Sequence, residues 1–286
     1  MAEDKALSGQ AAFITGGGGG IGSGAATWLA RDGAAVVIMG RTESTLIDAK
    51  KQIEGAAGPG ATVEYVVGDA LDPVAVDAGI GAAADLGRLS MALSVVGGGT
   101  MKPLLMFEPD ELLHDLERNI VSAFLVIKHA TPVMSQGGGG SIVLISSDAA
   151  KIPWPFLATY NSSKGGVEGL VRGAALELAP LNVRINAIRP GLVKTETTKN
   201  GLFANDAVIR QFLAEKPLGR TGVPDDIAAG VRYLLGPESS WVTGQSLGIE
   251  GGNELTRAPV LESLVRKRWG DAAVEAALAG RIPTAS

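Results

Sequence analysis

The chain contains no cysteine, which excludes disulfides, thiolate catalysis and cysteine-ligated zinc. Nor does it have an excess of positive charge. Its 25 Lys and Arg stand against 30 Asp and Glu, for a net charge of −5 and a pI near 5.2. A mildly acidic surface argues against nucleic acid or anionic membrane as a partner, because both select a basic face. No apolar run approaches the roughly 20 residues that span a bilayer. The polar opening MAEDKALSGQ lacks the apolar core of a signal peptide. These absences predict a cytoplasmic protein. Histidine occurs only at His114 and His129, outside any ligand-like cluster, so no metal site is expected.

Apolar residues make up 46% of the chain, enough for one large α/β core over 286 residues. Glycine, at 40 residues, is about twice its usual usage of roughly 7%. Much of it falls in clusters, Gly16 to Gly20, Gly97 to Gly99 and Gly137 to Gly140. Glycines at the ends of apolar runs point to tight turns and close backbone approach. The runs at 11–15, 34–39, 62–67, 89–96, 141–145, 183–188 and 246–249 read as strands. Segments 22–31, 43–53, 109–134, 160–179 and 225–235 have helical period. Strands apolar on both faces, alternating with helices, predict a single-domain, three-layer α/β/α doubly wound parallel sheet of Rossmann type. The sheet pattern closes near Gly252, giving a domain over 1–252. Residues 253–286 read as a helical extension, with Leu261, Leu264, Val265 and Trp269 at helical spacing.

The first strand runs into Thr15-Gly16-Gly17-Gly18-Gly19-Gly20-Ile21-Gly22 and then a helix. Missing side chains admit a pyrophosphate, and the helix N-terminus offers free N–H groups and a positive dipole end. The second strand ends in Gly40-Arg41. An acidic residue there would accept from a ribose 2′-hydroxyl and repel a 2′-phosphate. Arg41 instead suits the phosphate, which favours NADP(H) over NAD(H). Asp69, after the third strand, has the spacing to accept from an adenine amino group.

Tyr160 and Lys164 are four apart in a helical segment and so share a face. A phenol of ordinary pKa, about 10, is a poor proton carrier at neutral pH, and a neighbouring ammonium would lower that value. The strand at 141–145 ends at Ser146-Ser147, thirteen residues before Tyr160. A serine there could hold a substrate oxygen while the phenol exchanges its proton.

With these residues together, the chain resembles the short-chain dehydrogenase/reductase family over nearly all of residues 8–252. The matching residues are Thr15-Gly16 with Gly20-Ile21-Gly22, Asn119, Ser147, Tyr160 with Lys164, Arg189 to Thr195, and Val242-Thr243-Gly244-Gln245 leading to Gly251-Gly252. The resemblance implies roles for them. Tyr160 would be the general acid in reduction and the base in oxidation. Lys164 would hold the nicotinamide ribose and depress the phenol. Ser147 would orient the substrate oxygen, and Asn119 would support a water chain to Lys164. Gly16, Gly18, Gly19, Gly20 and Ile21 would cover the pyrophosphate, with Asp69 and Ala70 bordering the adenine. Val96 and Gly97 would meet the adenosine ribose, and Pro190, Gly191, Val193 and Thr195 the nicotinamide. An arginine at position 41 resembles the NADP-preferring branch.

One stretch departs from the family pattern. Ser94-Val95-Val96-Gly97 stands where Asn-Asn-Ala-Gly is usual, which removes a bracing amide. Trp154, Phe156 and Leu157, with Leu202, Phe203, Val208, Ile209, Phe212 and Leu213, suggest an apolar pocket and a hydrophobic carbonyl or alcohol substrate. A 3-oxoacyl thioester, a steroid and another ketone all remain open. The competing reading is a nucleotide-binding regulator without catalysis, which the presence of both Tyr160 and Lys164 disfavours. The family commonly forms homodimers or homotetramers through its two long helices, here 109–134 and 160–179.

Overall fold

The computed structural model describes residues 5–199, 202–214, 216–256 and 261–283. Seven strands form one parallel sheet: β1 (Gln10–Thr15), β2 (Ala35–Gly40), β3 (Val63–Val67), β4 (Arg88–Ser94), β5 (Gly140–Ile145), β6 (Val183–Pro190) and β7 (Ser246–Ile249). Their order is β3-β2-β1-β4-β5-β6-β7. The order reverses between β1 and β4, and open α/β sheets bind ligands at such a switch point, outside the strands' carboxyl ends. Thr15 pairs with Ser94, and Ser94 with Leu144, so three strand ends arrive at one edge together.

The helices are α1 (Gly20–Arg31), α2 (Glu43–Ala57), α3 (Pro73–Leu86), α4 (Pro109–Leu116), α5 (Ser122–Gln136), α6 (Ala158–Leu178), α7 (Glu196–Lys199), α8 (Asp206–Ala214), α9 (Pro224–Leu235), α10 (Glu262–Trp269) and α11 (Asp271–Leu278). Strand residues alternate between two cores, as period-two side chains must. Ile14, Ile38 and Val143 pack with α1, α2 and α9 on one face. Phe13, Val37 and Leu144 pack with α3, α5 and α6 on the other. The sheet is therefore buried on both sides, which is why its strands read as continuous apolar runs.

Among the differences from the sequence reading, three stand out. β4 stops at Ser94 rather than residue 96, so Val95 and Val96 belong to the loop that follows. The helical segment 109–134 is not α-helical throughout. α4 and α5 are joined by a π turn, Glu117–Val121, a one-residue widening common at functional sites. Helix α3 has no counterpart in the sequence reading. Its start is set by Asp72, whose side chain accepts from the Val74 N–H at 2.9 Å, and by Pro73 in the first turn.

Candidate active site

The glycine turn after β1 is shaped by close approach. A Cβ on Gly22 would lie 2.3 Å from the Gly16 carbonyl oxygen, and one on Gly17 would lie 2.5 Å from the Ile38 side chain. Gly20 has φ +53°, a region that favours glycine. Gly18 packs towards Thr45, while a Cβ on Gly19 would meet nothing within 4 Å. The first turn of α1 has no side-chain cap, so its N–H groups face that open space. An uncapped twelve-residue helix behind a cradle of bare backbone fits a pyrophosphate.

The other nucleotide candidates gather around the same turn. Val96 and Val95 lie against Gly16, and Thr195 against Gly20. The Gly68 N–H donates to the Gly40 carbonyl at 2.9 Å, which sets the loop carrying Asp69 and Ala70 beside the end of β2. Ala70 is buried. Asp69 is exposed, and one of its carboxylate oxygens accepts from the Leu71 N–H at 3.0 Å. Arg41 is exposed and makes no ion pair among the described residues, so its guanidinium faces solvent at the edge of the groove.

Ile21, Gly97, Ser147, Tyr160, Lys164, Pro190, Gly191, Val193 and Thr195 line one cavity of about 560 Å³. Trp154 and Leu157 line it as the sequence reading expects. Val208 and Phe212 lie behind in the same apolar cluster, and Phe156 and Phe203 pack against it. The Leu202 side chain lies outside the described residues. Among the lining residues that escaped the sequence reading are Met101, Leu264 and Arg268. The last two come from α10, which folds back over the cavity. It is held there by the Trp269 indole N–H, which donates to the Met101 carbonyl at 2.8 Å. The helical spacing of Leu261, Leu264, Val265 and Trp269 marks the helix, but nothing local shows where it docks.

The buried proton-carrying groups depart from the electrostatics expected of the sequence. Burial pushes the Tyr160 phenol up to about 12, opposed by a hydrogen bond with Ser147. Asp148 pushes it further up and Arg118 pulls it down. Lys164 is not among the groups that move it. Burial and then Arg118 push the Lys164 amine down to about 7. Its Nζ donates to the Ile145 carbonyl at 2.8 Å and stands 5.8 Å from the centre of the Tyr160 ring. The expectation that the neighbouring ammonium lowers the phenol is therefore corrected: desolvation raises the phenol, and the same burial pushes the Lys164 amine down instead of leaving it a strong cation.

Asn119 is fully buried in the π turn. Its amide oxygen accepts from the Gly98 N–H at 3.1 Å, and its nitrogen donates to the carbonyls of Gly98 and Asp115, both at 2.7 Å. The amide is engaged with backbone and pins the loop after β4. It thus braces from α4 and α5 the stretch that lacks the usual strand asparagine. Ser94, at that position, has a buried hydroxyl with no partner among the described residues.

Asp148, next to Ser147, is a further residue that spacing did not promote. It accepts from the Ser147 hydroxyl at 3.2 Å and from the Asn253 amide at 2.6 Å. Burial pushes its carboxyl from 3.8 up to about 6, against those hydrogen bonds and Lys216. The folded chain therefore holds a proton that the unfolded chain releases. Stability from this group is full below pH 3.8 and is lost as pH rises through about 6. Asp148→Asn should remove that loss. Thermal melts of the two proteins should diverge in favour of the variant as pH rises between these values, and parallel melts would contradict it.

Among the described residues, no group of three or more His, Asp or Glu could hold a metal ion, and no helix is long and apolar enough to cross a membrane.

The comparisons with known proteins agree with this geometry. A family model described as Enoyl-(Acyl carrier protein) reductase matches residues 16–254. The chain is 33% identical over 265 residues to dehydrogenase/reductase SDR family member 4 of Bos taurus, covering 88% of this chain and 90% of that one. A short-chain type dehydrogenase/reductase from Mycobacterium ulcerans superposes with a TM-score of 0.89 at 31% identity, over 94% and 98% of the two chains. A 7α-hydroxysteroid dehydrogenase, complexed with NADH and 7-oxo glycochenodeoxycholic acid, superposes with a TM-score of 0.81 at 30% identity, over 88% and 97%. The chain belongs to the short-chain dehydrogenase/reductase family and is an oxidoreductase acting on alcohol and carbonyl groups.

Proposed function

We propose that the protein is an NADP(H)-dependent reductase or dehydrogenase of ketones and secondary alcohols with apolar bodies. One observation carries the reading: Ser147, Tyr160 and Lys164 share a cavity with the backbone of Pro190 to Val193, under the apolar walls of Met101, Trp154, Leu157 and Leu264. When bound, the nicotinamide supplies or accepts the hydride. The chain's own residues do the rest. Gly16, Gly18, Gly19, Gly20 and Ile21 hold the pyrophosphate against α1. Asp69, Ala70, Val96 and Gly97 border the adenosine. Pro190, Gly191, Val193 and Thr195 hold the nicotinamide end.

Tyr160 gives its phenolic proton to the substrate oxygen in reduction and takes it back in oxidation. A phenol that rests protonated is ready for the first of these. Ser147 donates a hydrogen bond to the same oxygen. Lys164 donates to the ribose hydroxyls while anchored on the Ile145 carbonyl. Asn119 keeps the loop in place. The walls exclude water and select an apolar substrate. The protein works as a cytoplasmic homodimer or homotetramer. Phe124 on α5 and Leu176 on α6 are 45% and 82% exposed in the single chain, which supports a contact through those helices.

The test is loss of NADPH absorbance with a ketosteroid, an acetoacetyl thioester and cyclohexanone. Turnover of at least one, with the two bulkier ketones preferred, is expected. An inability to bind either nucleotide would overturn the reading. Nothing in the site favours a catalytically inactive regulator.

The NADP(H) preference rests on Arg41, exposed at the end of β2 where no acidic residue stands. Arg41→Ala removes one charge-assisted phosphate contact, roughly 1.5–3 kcal/mol, or ten- to a hundredfold in NADPH affinity. NADH affinity should hardly change. Fluorescence titration with both nucleotides decides it, and equal losses would reassign the preference.

A further inference from the structure

The loop after β4 contains three consecutive glycines, and each lies where a functional side chain takes the space of its missing Cβ. A Cβ on Gly97 would lie 2.5 Å from the Asn119 amide oxygen and 2.8 Å from Lys164 Nζ. One on Gly98 would lie 2.7–2.9 Å from the guanidinium of Arg118. One on Gly99 would lie 2.6 Å from the Tyr160 Cβ. Three of these neighbours belong to the reading proposed above: Asn119, Lys164 and Tyr160. The fourth, Arg118, is unassigned.

Arg118 sits in the π turn beside Asn119. Adjacent residues of an α-helix point about 100° apart. The widened turn nonetheless brings both against the same loop. Gly98 has φ +148°, a conformation suited to glycine, so the backbone here is shaped to admit the guanidinium. Arg118 is half-buried and its side chain makes no hydrogen bond or ion pair among the described residues. A permanent cation without a carboxylate beside two proton-carrying groups acts on both through the partly desolvated site. It pulls the Tyr160 phenol down and pushes the Lys164 amine down.

We infer that Arg118 is a positioning residue of the proton-transfer centre: its guanidinium, seated on Gly98, keeps a fixed positive charge beside Tyr160 and Lys164 and eases ionisation of the phenol. This rests on the reading that Tyr160 carries the proton. The other groups facing Tyr160 are Ser147 and Asp148 from the turn after β5 and Lys164 from its own helix. Asp115 of α4 is taken up by Thr159 at 2.6 Å, and Arg268 of α10 lies across the cavity. Burial and Arg118 push the Lys164 amine down to about 7, so the lysine by itself is a weak source of positive charge for the phenol.

The chain has three tyrosines, so residue 160 can be isolated. Ultraviolet tyrosinate absorbance is titrated in the full chain with saturating NADP⁺, for wild type, Arg118→Gln and Arg118→Lys. Each is taken as a difference from the same protein carrying Tyr160→Phe. Arg118→Gln is expected to raise the midpoint by about one pH unit, a tenfold change in the ionised fraction. Arg118→Lys should restore most of it, and kcat for the panel's best ketone should follow the same order with the KM for NADPH unchanged. Superimposed titrations of wild type and Arg118→Gln would overturn the inference, as would an equal shift in Arg118→Lys. If Arg118→Gln melts early, Arg118→Met replaces it as the neutral variant. Normal turnover by Tyr160→Phe alone would instead overturn the underlying reading.

Discussion

Tyr160→Phe is expected to lower turnover by about 10²–10⁴-fold, the span that positioned general acid–base catalysis contributes. The substitution deletes only the phenolic oxygen. The ring, packed on Gly99, stays, and with it the helix face that places Lys164. Cofactor affinity and thermal midpoint should therefore remain near those of the wild type. The loss should fall on kcat, because proton transfer to the substrate oxygen is an interaction realised only in the transition state. Initial rates with the best ketone, alongside a fluorescence titration with NADPH, measure both quantities. A variant that turned over at the wild-type rate would show that another group carries the proton.

The second large effect separates two glycines of one turn. Gly22→Ala places a Cβ 2.3 Å from the Gly16 oxygen and 2.9 Å from the Gly16 carbonyl carbon and the Gly17 Cα. All three are backbone atoms that no rotamer change can move. The turn must shift, at about 3 kcal/mol, or roughly 6–12 °C in Tm for a chain of this size. Gly19→Ala meets nothing within 4 Å and keeps an extended backbone at φ 176°. It should melt with the wild type. Its methyl group, however, enters the open cradle at the start of α1, so NADPH affinity should fall while the nucleotide-free protein is unaffected. Calorimetry of both variants without nucleotide, followed by titration, distinguishes them. A Gly19→Ala protein that bound NADPH as the wild type does would move the pyrophosphate elsewhere.

Much of this arrangement was legible in local sequence. Phe13 and Ile14 alternate between two cores, and so do Val37 and Ile38. A strand buried on both sides shows that as an unbroken apolar run. Tyr160 and Lys164 share a helix face at a spacing of four. What was missed has physical causes. Helix α3 is rich in alanine and valine with little polar contrast, so its period was hidden, and only the Asp72-Pro73 start announced it. The π turn at Glu117–Val121 costs backbone hydrogen-bond register and exists because packing against the glycine loop sustains it. No propensity scale contains that contact.

The sequence by itself determined the parallel α/β sheet, the glycine cradle at its switch point, and the Ser147, Tyr160 and Lys164 set at the strands' carboxyl edge. Those features depend on residue type and spacing along one or two elements. Tertiary structure alone decided that α10 folds over the cavity, that Arg118 stands over Gly98, and that burial raises both the Tyr160 phenol and the Asp148 carboxyl. Docking and proton affinity depend on which groups from distant segments replace water around a side chain, and that is set only when the chain has folded.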